Sequence, residues 1–276
     1  MRTIVHMSDL HFGRIEKRLL QPLIDTVARI APHLIVVSGD LTQRARKRQF
    51  EQAREFLDAL PAPRLVVPGN HDVPLYNVFA RMLRPLANYR RYVSSELEPY
   101  FGDDEIAVLG INSARSLTFK NGRINREQLD RVRARLAQLP ETITRIVVTH
   151  HPLDLPHGGD DDDLVGRAHL AMETFAECRI DLLLSGHLHH GEVGNTATRY
   201  RIEGYSALVV HAGTATSTRR RGEVNSFNVV RIDRPVVKVE RWVWDAGASA
   251  FCAEPPKSFK FAGGAWHGEK KQDDFS

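Results

Sequence analysis

The chain of 276 residues carries a formal net charge of +4, with 42% apolar and 26% charged residues, the balance of a chain that buries a sizeable core and not of a disordered or fibrous one. No apolar run reaches the roughly eighteen residues of a membrane span, and the stretch MRTIVHMSDLH lacks the layout of a signal peptide, so a cytoplasmic protein with no transmembrane segment is expected. Two cysteines, Cys178 and Cys252, are too few for a disulfide framework or a thiolate metal site, which leaves nitrogen and oxygen as the donors for any metal.

Along the chain, six apolar runs each end in a polar cluster: TIVHMSDLH, LIVVSGD, RLVVPGNHD, IAVLGIN, RIVVTHH and DLLLSGH. Segments of helical period lie between most of them, EKRLLQPLIDTVARI, REQLDRVRARLAQL and RAHLAMETFAEC among them, and this alternation predicts a layered α/β fold with a largely parallel core. The run QRARKR (43–48) opens an amphipathic helix, whose basic side chains are expected on a solvated face. Residues 74–102 interrupt the alternation with helical pieces broken at Pro85 and Pro99, an insertion over one rim of the sheet. The acidic loop HGGDDDDLVG (157–166) reads as hydrated. After residue 199 the candidates shorten to RYRIEG, SALVVHAGT, SFNVVRID and VVKVERWVW, which predict a second, mostly antiparallel sheet packed on the first. Arg219, Arg220 and Arg221 sit in a Gly, Ser and Thr-rich loop between two of these strands, where either phosphate contact or solvation suits them. From about residue 253 the chain is rich in Pro, Gly and charge and is expected to add no core.

Five of the six runs end in residues able to hold a metal: Asp9 and His11, Asp40, Asn70 with His71, His150 with His151, and His187 with His189. Any one has an ordinary structural use, an Asp capping a helix or a Gly-Asn turning the chain. Five at equivalent strand ends are a different matter, because a parallel sheet gathers its carboxyl ends along one edge. Carboxylates and an amide mixed with imidazoles suit Mn, Fe, Zn or Co, and about seven donors exceed one tetrahedral ion but serve two that share a carboxylate. His6, inside the first run, reads as a hydrogen-bonded core histidine.

The ordered set DLH (9–11), GD (39–40), GNHD (69–72), HHP (150–152) and GHLH (186–189) resembles the calcineurin-like metallophosphoesterase superfamily. The resemblance implies an α/β four-layer αββα sandwich, two mixed β-sheets flanked by helices, over residues 1–252, with 253–276 as an extended or disordered tail. It also implies two divalent ions, one held by Asp9, His11, Asp40 and His189, the other by Asp40, Asn70, His150 and His187. A bridging hydroxide would attack phosphorus in line with the leaving oxygen. His71 is implied to point at the phosphate and protonate the leaving alkoxide, with Asp72 orienting its ring. His150 is preferred to His151 on the spacing to Pro152, and His151 and His190 are left outside the ligand set.

The stretch GINSARSLTFKNGRINREQLDRVRARL is most similar to class III cyclic-nucleotide phosphodiesterases and their glycerophosphodiesterase relatives. That likeness implies a small phosphodiester substrate, a 3',5'- or 2',3'-cyclic nucleotide among the candidates, with Asn112, Arg115 and Arg123 as residues for the substrate rim. Three rivals stand beside it. A pyrophosphohydrolase similar to the one acting on UDP-diacylglucosamine predicts an apolar slot at the insertion. A DNA nuclease predicts a continuous basic groove, which the acidic loop disfavours. A binding module without turnover predicts a decayed donor set, whereas all seven donors and His71 are present.

Overall fold

The computed structural model describes residues 1–116, 121–155, 161–219 and 222–269. In chain order its elements are β1 (Arg2–Met7), α1 (Leu20–Ile30), β2 (Leu34–Val37), α2 (Lys47–Asp58), β3 (Arg64–Val66), α3 (Val78–Leu83), α4 (Ala87–Tyr92), β4 (Tyr100–Gly102), β5 (Ile106–Gly110), α5 (Arg126–Leu136), β6 (Thr144–Val148), α6 (Ala168–Glu177) and β7 (Leu182–Ser185). There follow β8 (Glu192–Asn195), β9 (Leu208–His211), β10 (Ser226–Asp233), β11 (Val236–Asp245), β12 (Ala250–Ala253), β13 (Lys257–Ala262) and β14 (Ala265–Gly268).

All six apolar runs form strands, and their two-residue side-chain period divides them between two cores. Ile4, Leu34 and Val36 meet Ile106, Val108, Ile146, Val148, Leu182 and Leu184 between the sheets. Val5, Met7, Ile35 and Val37 turn the other way, onto Leu23 and Val27 of α1 and Phe50, Ala53 and Phe56 of α2. Ala107, Leu109, Val147 and Leu183 pack outward on Leu129 and Val132 of α5 and Met172 and Phe175 of α6. Strands buried on both faces need no polar alternation, which is why the runs are continuously apolar. The result is the four-layer αββα sandwich of two mixed sheets.

One sheet runs β14-β13-β11-β10-β1-β2-β3, with β12 also on β11, and the other runs β4-β5-β6-β7-β9-β8. Strands β1, β2 and β3 are mutually parallel, as are β5, β6, β7 and β9, so each sheet brings its carboxyl ends to a single edge. Local chemistry starts the helices where the period predicts: the backbone N–H of Asn125 donates to Gln128 Oε1 at 2.8 Å to open α5, and Pro85 separates α3 from α4.

Two expectations are corrected. The strands after residue 199 form no sheet of their own: β9 joins the parallel sheet beside β7, and β10 pairs antiparallel with β1. RYRIEG is no strand, whereas EVGN, unmarked in the sequence, is β8. The segment from 253 is no bare tail. β13 pairs with β11 and β14 with β13, and Trp266, 1% exposed, closes the inter-sheet core that polar composition had hidden. Residues 270–276 lie outside the described residues.

Trp266→Ala is therefore expected to cost about 3 kcal/mol or more, read as a lower urea midpoint with an unchanged slope. A merely trailing segment would leave the midpoint where it was.

Candidate metal centre

Asp9 and His11 follow β1, Asp40 follows β2, Asn70 and His71 follow β3, His150 follows β6, and His187 and His189 follow β7. The two sheet edges face each other, and the side chains converge from both. His11 Nε2 lies 3.4 Å from Asp9 Oδ1, 3.4 Å from His189 Nε2 and 3.7 Å from Asp40 Oδ2, while His189 Nε2 lies 3.2 Å from Asp9 Oδ1. On the other side, His150 Nε2 lies 3.0 Å from Asn70 Oδ1, 3.3 Å from His187 Nδ1 and 3.4 Å from Asp40 Oδ1. Asp40 thus turns one oxygen to each group.

The loops reach these positions through backbone that side chains rarely adopt. Among the described residues ten non-glycine residues have positive φ, and five of them are Asp9, His11, Asp40, His187 and His189. Such a concentration marks a functional site, because left-handed backbone persists only where surrounding contacts impose it. Here they do: His11 N donates to Asp40 O at 2.9 Å, Asp9 N to Gly39 O at 3.1 Å, and His187 N to Asp9 Oδ2 at 3.0 Å. Gly39 has φ +94°, and a Cβ there would stand 2.7 Å from His150 Nδ1. A Cβ on Gly69 would stand 2.2 Å from Asp40 Oδ1. The glycines of GD and GNHD let these loops touch.

Outer contacts orient the imidazoles. His150 Nδ1 donates to Ser38 O at 2.8 Å and His189 Nδ1 to Arg219 O at 2.9 Å, which turns Nε2 of each ring into its cluster. Burial raises the carboxyl of Asp9, but His189 and His11 outweigh it and hold the group below the usual range. Burial likewise raises Asp40, and His150 and His71 draw it well below. For His150 burial pushes down and the Asp40 carboxylate pushes up harder, to about 9.

The donor set fits divalent cations. Asp9 Oδ1 and Asp40 Oδ2, both buried, have no hydrogen-bond partner within ordinary geometry, and their nearest neighbours are histidine Nε2 atoms at 3.2–3.7 Å. Buried carboxylates in that state require a cation. Asp9, His11 and His189 form one group that could hold an ion, and Asp9, Asp40 and His150 another. The mixed N and O chemistry suits Mn, Fe, Zn or Co. His151 also stands within reach, in a group with His150 and His187; it is fully buried, with Nδ1 2.8 Å from Ser113 Oγ. His190 is half-exposed and pairs with Glu223. His6 is the core histidine expected, Nε2 2.9 Å from Ser38 Oγ, its pKa lowered to about 3 by burial.

His71 stands over the first group, its ring edge-on to His11 at 4.9 Å between centroids. Its Nδ1 donates to Gln43 O at 2.9 Å, which directs Nε2 toward Arg219 Nη1, 3.0 Å away. Asp72 does not orient this ring. It accepts from Gly69 N, Leu41 N, Thr42 N and Thr42 Oγ1 at 2.9–3.2 Å, tying the GNHD turn to the loop after Asp40. Burial first, then Asp40, lifts its pKa to about 6. Sequence spacing could not show this, since the four donors lie in two separate loops.

Asn112 and Arg115 line a cleft of 470 Å³ with Val73, Leu83 and Arg84, and several of their polar groups bond within the loop and to α5. Asn112 Oδ1 accepts from Ala114 N, and Arg115 donates to the carbonyls of Asn112 and Ala114 and to Gln128. Arg123 is exposed beside Gly166. Of the acidic loop, Asp161 pairs with Arg199, and residues 156–160 lie outside the described residues, as do Arg220 and Arg221. Sequence reasoning missed Ser38, Gln43 and Ser113, which act through backbone or hydroxyl groups that no motif marks.

An αββα sandwich with this donor set along its joined edges defines a metal-dependent phosphoric ester hydrolase. The chain belongs to the calcineurin-like phosphoesterase family, whose model matches residues 2–191. It is 29% identical over 213 residues to the glycerophosphodiester phosphodiesterase GpdQ of Enterobacter lignolyticus, covering 72% of this chain and 73% of that protein. It is 28% identical over 171 residues to the 3',5'-cyclic adenosine monophosphate phosphodiesterase CpdA of Escherichia coli, covering 58% of this chain and 57% of that protein. Among solved structures, a dimetal phosphatase from Danio rerio shares the fold with a TM-score of 0.62 at 13% identity, over 87% of this chain and 95% of that one.

Asp72→Ala leaves three buried backbone N–H groups, of Gly69, Leu41 and Thr42, unpaired and frees the GNHD turn. It is expected to cost about 3 kcal/mol in urea unfolding and to weaken manganese binding by about tenfold or more in calorimetric titration.

Proposed function

We propose that the protein is a dinuclear-metal phosphodiesterase acting on small phosphodiesters, cyclic nucleotides and glycerophosphodiesters among them. The observation that carries this reading is Asp40, whose two oxygens face two separate donor groups: Asp9, His11 and His189 on one side, Asn70, His150 and His187 on the other. In this assignment these seven residues hold the ions and His151 stays outside them.

Divalent ions bound there would polarise a water toward hydroxide at neutral pH and offset the charge of the phosphoryl group. The remaining chemistry falls to the chain. His150 and His189 present Nε2 because Ser38 O and Arg219 O occupy their other nitrogens. His71, anchored through Nδ1 to Gln43 O, presents Nε2 to the phosphoryl or leaving oxygen on the open side of the centre. Its backbone N–H donates to Asp40 Oδ1 at 2.8 Å, so the turn that bears the ring is tied to the shared carboxylate. The names and sequence similarity of the phosphodiesterase relatives support a diester over a monoester.

A second reading has its own observation. Tyr76, Phe79 and Leu83 of the insertion are 74%, 81% and 76% exposed, and Phe79 and Leu83 line a cleft of 410 Å³ with Ala45, Asp72, Pro74 and Pro85. An apolar surface this close to the GNHD turn suits a substrate with an acyl tail, as in the pyrophosphohydrolase reading. Among the described residues no helix is long and apolar enough to cross a membrane.

With added manganese, bis(p-nitrophenyl) phosphate is expected to turn over at least about tenfold faster than p-nitrophenyl phosphate in kcat/KM, and Asn70→Ala or His71→Ala to lower it about a hundredfold. Equal or faster monoester turnover would reverse the diester assignment. A wild type as idle as the variants across manganese, iron, zinc and cobalt would remove hydrolysis altogether. Faster turnover of a diacylated nucleotide sugar than of any cyclic nucleotide would select the second reading.

A further inference from the structure

The loop after β9 carries the run GTATSTR, and the metal-centre chemistry leaves its purpose open. It is not a slack connection. Thr214 bridges Ser8, Ala215 N donates to Ser8 O at 3.1 Å, Thr216 Oγ1 donates to Leu10 O at 2.9 Å, and Thr218 N donates to Arg14 O at 2.9 Å. Asn225 Nδ2 holds the other side through Thr214 O and Ser217 O. Thr214, Thr216 and Ser217 are buried. The run is a strap stitched along the loop that bears Asp9 and His11, and the stitching fixes what stands at its end.

That residue is Arg219, half-buried, with its N–H on Ser217 Oγ at 3.0 Å. Its carbonyl accepts from His189 Nδ1 and its guanidinium reaches His71 Nε2 at 3.0 Å. His71 Nδ1 already gives its proton to Gln43 O, so Nε2 receives the guanidinium N–H as an acceptor. A guanidinium binds phosphoryl oxygens through charge-assisted bonds roughly twice as strong as ordinary ones. Both groups therefore look onto one spot, and an anionic oxygen entering it would meet the guanidinium at once. A diester carries a single negative charge and gains a second as the nucleophile adds, so a fixed positive charge there acts most strongly in the transition state.

We propose that Arg219 is a catalytic residue of this centre, its guanidinium binding a non-bridging phosphoryl oxygen beside His71. The proposal rests on the phosphodiesterase reading, and its main-chain and side-chain parts separate cleanly. Any residue at 219 keeps the carbonyl on His189; only the guanidinium reaches the substrate.

The test uses the full chain loaded with manganese, with bis(p-nitrophenyl) phosphate as substrate and inorganic phosphate as the calorimetric probe. Arg219→Ala is expected to lower kcat about a hundredfold, to weaken phosphate binding about tenfold, and to keep wild-type manganese content and melting temperature. Arg219→Lys should restore part of the loss, and millimolar guanidinium added to the Ala variant should restore part of its kcat. An Ala variant with kcat and phosphate affinity within about twofold of wild type would overturn the proposal. So would a loss that tracks lost manganese, which would make Arg219 a support of His189. Should the wild type bind phosphate and hydrolyse no diester, the phosphodiesterase reading fails, while the phosphate affinity of the two variants still decides whether the guanidinium meets the anion.

Discussion

The carboxylate of Asp40 is buried where the carboxyl edges of two sheets meet, with one oxygen turned to each of two histidine-rich groups. Asp9, equally buried, shares the site, and among the described residues neither is paired with a lysine or arginine. Two carboxylates in that setting carry a large desolvation penalty, which the surrounding imidazoles outweigh. The arrangement is coherent as a cage for divalent cations, and the rest of the fold can be understood as what holds the cage in shape. It also explains the direction of the charge states: the imidazoles drag both carboxyls down, Asp40 lifts His150, and cations entering the site would take over the role of that proton.

The cage is held mainly by backbone. Left-handed conformations at Asp9, His11, Asp40, His187 and His189 each carry strain, and the neighbouring loops offset it with main-chain hydrogen bonds between Asp9 and Gly39 and between His11 and Asp40. Asp72 and the carbonyls of Ser38 and Gln43 complete the frame. Rigid loops of this kind position side chains without cost at the moment of reaction, which is the condition for electrostatic catalysis.

Around that frame the chain adds two pieces of its own. The insertion, with α3 and α4, spreads exposed Tyr76, Phe79 and Leu83 beside the GNHD turn. The strap at 214–219 brings Arg219 to His71. One is apolar and the other cationic. The family and the candidate donor groups account for the reaction class.

How much of this was legible in advance follows the range of the forces involved. The alternation of apolar runs and helical periods determined β1, β2, β3, β5, β6 and β7 with the helices between them, because burial on both faces of a parallel strand writes itself into consecutive residues. The donor types after those strands determined N and O chemistry, and the parallel arrangement alone implied that they share an edge. What the sequence left undecided depends on partners distant in the chain. Trp266 is core only because β13 and β14 extend the sheet on β11, and β9 and β10 lie in different sheets because they pair with β7 and β1. Asp72 serves loop amides and not an imidazole, and Arg219 reaches His71 across 148 positions of chain, for the same reason. A hydrogen bond is decided within about 3 Å, and only the folded chain sets distances that fine between residues so far apart.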